Sequence, residues 1–272
     1  RMLGAGDLEA TAVIRFVLTT FARVERHRFV IATAIGAGVA WATPGWIALV
    51  RDSHAVPSAL VLSVPFSMLL FGLAGLRMAA ALPADTGASW IFDDDLVPWR
   101  TARLALERVL IGLGIVPLAL LSAAVCWRLW GAGAAAAHAA LFASVGLLLA
   151  QALLWRMPGV PCSRPWTPGA SRIRARWPVY LAILIGITSG MPAIERFLLS
   201  HAAAALLVVS LCAWLALMLR RAAIRLGPAD IDAAPTIVAA GSAVDAAAGG
   251  CETVHSSSAS SERTFAPRLQ IR

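Results

Sequence analysis

The chain has 272 residues, of which 59% are apolar and 14% are charged. Soluble domains carry about 25% charged residues, and here the charges are confined to short intervals between apolar runs, which excludes an ordinary soluble domain. The formal net charge of +8 rests on 23 basic residues, all of them arginine. Because these arginines flank the apolar runs, they indicate membrane topology and contact with anionic headgroups, and no nucleic acid is expected as a partner.

The apolar runs are close to the roughly 20 residues that a helix needs to cross hydrocarbon. We therefore predict an all-α, polytopic transmembrane bundle of six spans. Its expected partner is the lipid bilayer. The spans are residues 29–50, 58–76, 109–127, 131–155, 179–199 and 202–219. Thr43-Pro44-Gly45 should break the first span, and Pro65 should kink the second, with the hydroxyls of Ser63 and Ser67 near the freed carbonyl.

Three segments outside the spans are each predicted to have a different structure. Residues 1–28 place Val13, Phe16, Val17 and Phe21 at spacings of three and four, which predicts an amphipathic helix at the membrane interface. Residues 99–107 are expected to form a surface helix that leads into the third span. Residues 222–272 form a domain of alanine, serine, glycine and scattered charges, which predicts a disordered cytoplasmic tail.

The arginine distribution predicts the orientation. If six spans alternate, the side that carries both ends of the chain holds fifteen arginines between Arg23 and Arg225, and the other side holds three, Arg51, Arg128 and Arg196. The positive-inside rule assigns the arginine-rich side to the cytoplasm. We expect a bacterial inner-membrane protein with both ends of this chain in the cytoplasm. Because the chain begins with Arg1, we also expect an N-terminal part to be missing.

The most distinctive polar stretch runs from Leu82 to Asp95, between two apolar runs. Its candidate functional residues are Pro83, Asp85, Trp90 and Phe92. The aspartates and aromatic residues could form a cation or partner site. Alternatively, the aromatic residues anchor the loop at the headgroup level and the aspartates are solvated or offset nearby arginines. Adjacent aspartates in a loop are weak support for a metal site, and we predict none.

Four polar residues within the spans are further candidates: His138, Gln151, Glu195 and Arg196. Ionisable residues inside membranes are functional candidates by default. His138 and Gln151 lie thirteen residues apart, so they cannot form one site by themselves, and each is expected to make an interhelical hydrogen bond. Glu195 and Arg196 lie near the end of the fifth span and could be interfacial anchors, a local ion pair, a gate or a proton relay.

The small-residue spacings and the cysteines give little further information about function. Gly186 and Gly190 form a GxxxG spacing, and Ala32, Gly36 and Ala40 form a small-residue ridge, both of which permit close helix packing. The four cysteines are too widely spaced for a zinc or iron–sulfur site and imply no disulfide framework. No cofactor is expected.

Three segments together resemble a known family. They are Phe16–Arg28 (FVLTTFARVERHR), Ala81–Phe92 (ALPADTGASWIF) and Arg156–Gly169 (RMPGVPCSRPWTPG). They resemble the C-terminal half of a family of large, multi-spanning, acidobacterial-type inner-membrane proteins that have no assigned function. Ser89 stands where that family usually has Asn, and Asp93–Asp95 replace a basic, hydroxylic segment. The resemblance implies membrane residence and a missing N-terminal half, and it brings no activity.

Three classes of function fit this sequence. The first is a membrane-embedded subunit of a transport or export system, such as a permease that works with a separate cytoplasmic ATPase or other membrane subunits. The second is a structural or assembly protein without a substrate. The third is a membrane enzyme acting on lipid-linked material, for which the sequence offers no convincing nucleophile or metal ligands, so that a catalytic role is not expected.

Overall fold

A computed structural model describes residues 3–51, 57–84, 98–155, 161–162 and 182–233, and regular structure within these ranges is helical throughout. Side chains are described from residue 8 to residue 225. Two short π-helical segments, Leu110–Ile115 and Gly186–Gly190, interrupt longer helices. The α-helices are α1 (Leu3–Arg23), α2 (Glu25–Trp41), α3 (Thr43–Arg51), α4 (Ala59–Ala81), α5 (Trp99–Val109), α6 (Val116–Leu154), α7 (Met191–Leu198) and α8 (Ala202–Ala233).

Several of these helices are long and apolar enough to cross a membrane. In the described ranges three qualify, Ala59–Ala81, Trp99–Leu154 and Ala202–Arg225, and α2 with α3 would be a fourth if this pair, bent by 49°, counts as one span. In the described ranges the protein is therefore all-helical, as predicted, with three to four candidate membrane spans.

The longest of these helices is two arms rather than one rod. Gly131 has φ +87° and ψ 175°, which is not helical, inside α6. A Cβ atom on Gly146 would lie 3.2 Å from side-chain atoms of Ile115, whereas a straight helix would separate these residues by about 46 Å at 1.5 Å per residue. The chain therefore reverses at Gly131, and the arm before it packs against the arm after it. Such a backbone conformation is accessible essentially to glycine alone.

Prolines determine several other boundaries. The break between α2 and α3 falls at Ala42, immediately before Thr43-Pro44. α4 ends at Ala81, and Leu82 is extended (φ −81°, ψ 142°) because Pro83 follows it.

Pro65 lies within α4, but the hydroxyls of Ser63 and Ser67 donate to the carbonyls of Leu60 and Ser63. They do not reach the carbonyl of Val61, which Pro65 leaves without its helical donor, so the predicted role of these two serines is wrong.

Both π-helical segments end two residues before a proline. Leu110–Ile115 precedes Pro117, and Gly186–Gly190 precedes Pro192. A proline ring within a helix would clash with the carbonyl four residues earlier, and a wider π turn relieves such a clash while the helix continues. The helices on either side of each segment are therefore continuous.

The core is built around α4, which packs against α2, α3, α6 and α7. Its buried side chains include Phe66, Leu69 and Leu73, each at 0% exposure. A Cβ atom on Gly75 would lie 2.5 Å from the Cβ of Ala34 in α2, so these two helices approach closely. By contrast, a Cβ on Gly36, Gly186 or Gly190 would meet nothing within 4 Å. The glycines of the predicted small-residue spacings are therefore not packing positions.

The first and last helices, α1 and α8, agree with the sequence predictions to different extents. α1 buries Ala10, Val13, Val17, Thr20 and Phe21, the face that its spacing predicts, and packs against α5. α8 continues to Ala233, so residues 222–233, for which the composition predicts disorder, are helical. Residues 234–272 lie outside the described residues.

Candidate functional site

Two groups of interacting polar side chains lie at different depths in the bundle, and each contains buried ionisable residues. One is the pair formed by His138 and Glu195, and the other is the Arg103 network, which consists of Arg103, Glu107, Gln151 and Arg220. His138 and Gln151 lie on the same arm of α6, thirteen residues apart, so the two groups are about 20 Å apart along that arm. Each of these two groups is a candidate functional site.

The His138–Glu195 pair joins α6 to α7. His138 Nδ1 lies 2.5 Å from Glu195 Oε1, and the two residues are each 1% exposed. A carboxylate only accepts hydrogen bonds, so an ionised Glu195 fixes the imidazole with its N–H on Nδ1. Glu195 lies in α7, three residues after Pro192, and its side chain is buried rather than extended to the interface.

In each side chain of this pair, the second polar atom lacks a hydrogen-bond partner. His138 Nε2 and Glu195 Oε2 are buried and make no hydrogen bond. Buried polar atoms are normally hydrogen-bonded, because leaving one unpaired costs about 1–3 kcal/mol. Two such atoms in one pair mark a site that packing alone does not explain.

The surroundings of the pair are mostly aromatic. The ring of Phe66 in α4 meets the His138 ring edge-on at 6.2 Å between centroids, and Phe142 lies 5.7 Å from it. The thiol of Cys126, on the arm of α6 before Gly131, is buried and close enough to Glu195 to interact with its charge. Arg128 and Arg196, the charged residues nearest to the pair in sequence, are exposed.

The Arg103 network links α5, α6 and α8. Arg103 is fully buried, and its Nη2 donates to Gln151 Oε1 at 3.0 Å. Glu107 lies one helical turn further on, with Oε2 3.8 Å from Arg103 Nη1. Arg220 Nε contacts both carboxylate oxygens of Glu107 at 3.1 Å. Arg103 Nε and Nη1 have no hydrogen-bond partner, so the carboxylate of Glu107 is the main compensation for this buried charge.

Backbone carbonyls at the same end of the bundle accept from further basic side chains. Arg77 Nε donates to the carbonyl of Leu153 at 3.0 Å, and His27 Nε2 contacts that of Leu82 at 3.3 Å. Cys162 exchanges two backbone hydrogen bonds of 2.8 Å with the end of α4: its N–H donates to Ala80, and its carbonyl accepts from Ala84. The connections after α4 and after α6 therefore meet beside the first turn of α2.

Cys162 itself is a buried thiol outside the spans. It has φ +61° and is 3% exposed. Burial raises the pKa of this thiol to about 12. It is a structural, uncharged cysteine under physiological conditions.

The residues that the sequence singles out are separated by the fold. Pro83 is buried directly after α4, whereas Asp85, Trp90 and Phe92 lie outside the described residues. Gln151 belongs to the Arg103 network, and His138 pairs with Glu195, so His138 and Gln151 are indeed in different groups. Arg196 is exposed and does not take part in the His138–Glu195 pair.

Sequence reasoning missed the participants from α5 and α8. The sequence predicts a surface helix over residues 99–107, but Arg103 is 0% and Glu107 is 7% exposed. The i, i+4 spacing of Arg103 and Glu107 within an otherwise apolar face is the available signal. Arg77, Arg220 and His27 resemble the residues that indicate topology, and nothing in their sequence context separates them from the other flanking residues.

An apolar pocket of about 140 Å³ lies between α3, α4 and the first arm of α6. Its lining includes Trp46, Val61, Pro65, Val125 and Cys126. Such a surface fits hydrocarbon rather than an ion. Within the described ranges no three His, Cys, Asp or Glu side chains are grouped so that they could hold a metal ion.

Comparison of the chain with protein-family models, with curated proteins and with solved structures gave no match.

Proposed function

We propose that this chain is a multi-pass protein of the bacterial inner membrane with six crossings and both ends in the cytoplasm. The chain reversal at Gly131 supports this count, because it divides the longest apolar helix into two crossings. The bent pair of α2 and α3 would be one crossing, and α4 and α8 would be one each. The sixth would be α7 together with the π-helical segment Gly186–Gly190 that precedes it. The arginine asymmetry of fifteen to three supports the orientation.

Reporter fusions test this topology. Alkaline phosphatase is active only in the periplasm, and a fluorescent protein folds only in the cytoplasm. We expect a phosphatase fused after Arg128 to be active and one fused after Trp155 to be inactive, with the reverse for fluorescence. Equal behaviour of the two positions would contradict a crossing between them.

In function, we propose a membrane-embedded subunit of a transport or export system that works with a separate cytoplasmic ATPase. The observation that carries this proposal is the burial of the His138–Glu195 pair in the bundle. Replacing a buried ion pair with apolar residues of similar size is often neutral or stabilising. A bundle with a purely structural role therefore has little need for such a pair, whereas pathways for ions and substrates use intramembrane ionisable residues.

The Arg103 network adds to this proposal. It buries a second set of ionisable groups near the end of the bundle where the connections after α4 and α6 meet. That end is the arginine-rich side, on which a cytoplasmic ATPase would bind. Ionisable residues therefore lie at two depths of the bundle, and such residues within membranes often mark ion or substrate pathways.

Co-purification tests the partnership. The chain would be tagged and purified in mild detergent from membranes of its own host, beside an unrelated six-span protein with the same tag. We expect an ATPase subunit in constant ratio with this chain only, and ATP hydrolysis in the purified fraction. Recovery of the chain alone would overturn the proposal.

A structural or assembly role is the second candidate, and α8 favours it. Only 6% of the most apolar 18-residue window in Ala202–Arg225 is buried within the chain, and Leu206, Leu207 and Trp214 are all more than half exposed. This surface fits either lipid or the helices of another membrane subunit. Recovery of such subunits without an ATPase in the same purification would favour this role.

We further propose membership in the acidobacterial-type inner-membrane family that the three segments resemble. The contact between two of those segments supports it, since Cys162 in the third segment bonds to Ala84 in the second. Alignment of further sequences would test it: Pro83 and Trp90 should be retained together in that family.

A further inference from the structure

We infer that the His138–Glu195 pair is a proton-binding site, in which a single proton binds His138 Nε2 while Glu195 remains a carboxylate. The inference concerns the pair alone and does not depend on the proposed transport function. Its starting point is the two buried, unpartnered atoms, Nε2 and Oε2, of two side chains that are each 1% exposed.

The chemistry of the pair defines the ligand. With Nδ1–H donating to Oε1, the imidazole Nε2 carries a lone pair, and Oε2 of the carboxylate can only accept. Both free atoms are therefore acceptors, and neither has a donor among the neighbouring side chains. A site built from two acceptors takes up a donor or a proton. The absence of a third grouped ligand within the described residues argues against a metal ion.

The charge balance favours the proton. Neutral histidine with ionised glutamate has a net charge of −1, and bringing a net charge into an apolar bundle is costly. When Nε2 takes a proton from water, an N–H bond forms, the imidazole becomes cationic, and the pair becomes electrically neutral overall. The proton-bound state is thus the one that the surroundings tolerate best.

Among the described residues, the side chains that face the pair are uncharged. α4 presents the ring of Phe66, and the second arm of α6 presents that of Phe142. The first arm of α6 brings the buried thiol of Cys126. Arg128 and Arg196 are exposed, so neither neutralises the carboxylate in place of the proton.

The pair lies towards the Gly131 end of the bundle. His138 lies seven residues after the reversal at Gly131, or about 10 Å along the helix. Glu195 lies five residues before the exposed Ser200. The pair is therefore nearer to this end than to the end that holds the Arg103 network.

Nitrogen NMR of the intact chain tests this inference. The chain would be labelled with ¹⁵N-histidine, reconstituted in phosphatidylcholine vesicles and titrated between about pH 5 and pH 9, the range in which histidines usually change charge. His138→Gln would assign the signals, and His201→Gln, at an exposed histidine, is the matched control. We expect His138 Nε2 to change from protonated to lone-pair character as the pH rises, while Nδ1 stays protonated.

Infrared spectroscopy and a second variant decide between the possible proton positions. We expect the carboxylate bands of Glu195 to persist over the titration and to be absent from the Glu195→Gln variant, which assigns them. A protonated-carboxyl band that disappears in Glu195→Gln would overturn the inference, because the proton would then reside on Glu195. So would an Nε2 signal of the wild type that does not change across the range.

Discussion

At the residue scale, the buried charges are more informative than the exposed ones. Arg103 has no exposed surface, two of its three guanidinium nitrogens lack hydrogen-bond partners, and its only nearby carboxylate among the described residues is Glu107. Removing one partner of a buried pair leaves an uncompensated charge, which costs about 3–5 kcal/mol. Glu107 is therefore expected to be among the most sensitive positions of the bundle.

We expect Glu107→Gln to lower the free energy of unfolding by about 3–5 kcal/mol. Unfolding in mixed micelles of increasing dodecyl sulfate fraction, followed by circular dichroism, would measure it. Glu25→Gln, at an exposed position near the same end of the bundle, is the matched control and should have little effect. Adding Arg103→Met to Glu107→Gln should recover part of the loss, and a double variant as unstable as the single one would contradict the role of Glu107 as the compensating charge.

Cys162 gives a prediction that depends on pH. Burial raises the pKa of its thiol from 9.0 to about 12, and only the thiolate reacts with a maleimide. The shift of about three pH units lowers the thiolate fraction at neutral pH by about a thousand-fold. The thiol is the stable form below this raised pKa, and raising the pH towards it increases reactivity.

A variant in which Cys162 is the single cysteine should therefore be labelled at least a hundred-fold more slowly in the folded state than in dodecyl sulfate. The labelling rate, followed by mass spectrometry, is the measurement. A cysteine placed at the exposed Ser200 in the same background is the control. Equal labelling rates at the two positions would show that Cys162 is accessible.

Comparison of sequence and structure at this scale shows what a single sequence can reveal. His138, Gln151 and Glu195 are identifiable because a polar side chain in an apolar run is conspicuous. Their partners are not, because contacts between His138 and Glu195, or between Arg103 and Gln151, join residues 57 and 48 positions apart. Burial of Arg103 depends on α1, which packs against α5 from a distant part of the sequence, and no local pattern carries that information.

At the element scale, helix positions follow from hydropathy, and helix contacts depend on individual small residues. The apolar runs, the proline breaks and the amphipathic face of α1 can all be predicted, since each depends on neighbouring residues. The packing glycines cannot be selected by spacing. At Gly36, Gly186 and Gly190, which fit the small-residue spacings, an added Cβ would meet no described residue within 4 Å. Gly75 fits neither predicted spacing, yet it forms the close α2–α4 contact.

We expect Gly75→Ala to be destabilising by about 1–3 kcal/mol, the usual cost of overpacking. Its new Cβ would lie 2.5 Å from the Cβ of Ala34, so α2 and α4 would have to separate. Gly72→Ala, one turn earlier in α4, meets nothing within 4 Å and should be neutral or slightly stabilising. The same micelle unfolding experiment compares the two, and a smaller effect at position 75 than at position 72 would contradict the close contact between α2 and α4.

At the scale of the whole molecule, the reversal at Gly131 decides the architecture. By length and composition alone, Trp99–Leu154 would be one helix of 56 residues, about 84 Å long at 1.5 Å per residue and far longer than the roughly 30 Å hydrocarbon core. Folding it at Gly131 gives two arms of about 48 and 35 Å, each long enough to cross that core, and it also brings Arg103 and Gln151 to the same end of the bundle.

Cross-linking tests this architecture directly. Cysteines at Ile115 and Gly146, in a background without the natural cysteines, should be joined rapidly by a short bifunctional maleimide, because these positions are in contact. Cysteines at Ile115 and Gly133 are closer in sequence but lie towards opposite ends of the packed arms, and they should not be joined. Proteolysis between the arms, followed by gel electrophoresis, would show whether the fragments stay linked. A continuous helix would separate 115 from 133 by about 27 Å and 115 from 146 by about 46 Å, so a short linker would join neither pair. Absence of the link at 115–146 would therefore exclude the two-arm fold, and with it the count of six crossings.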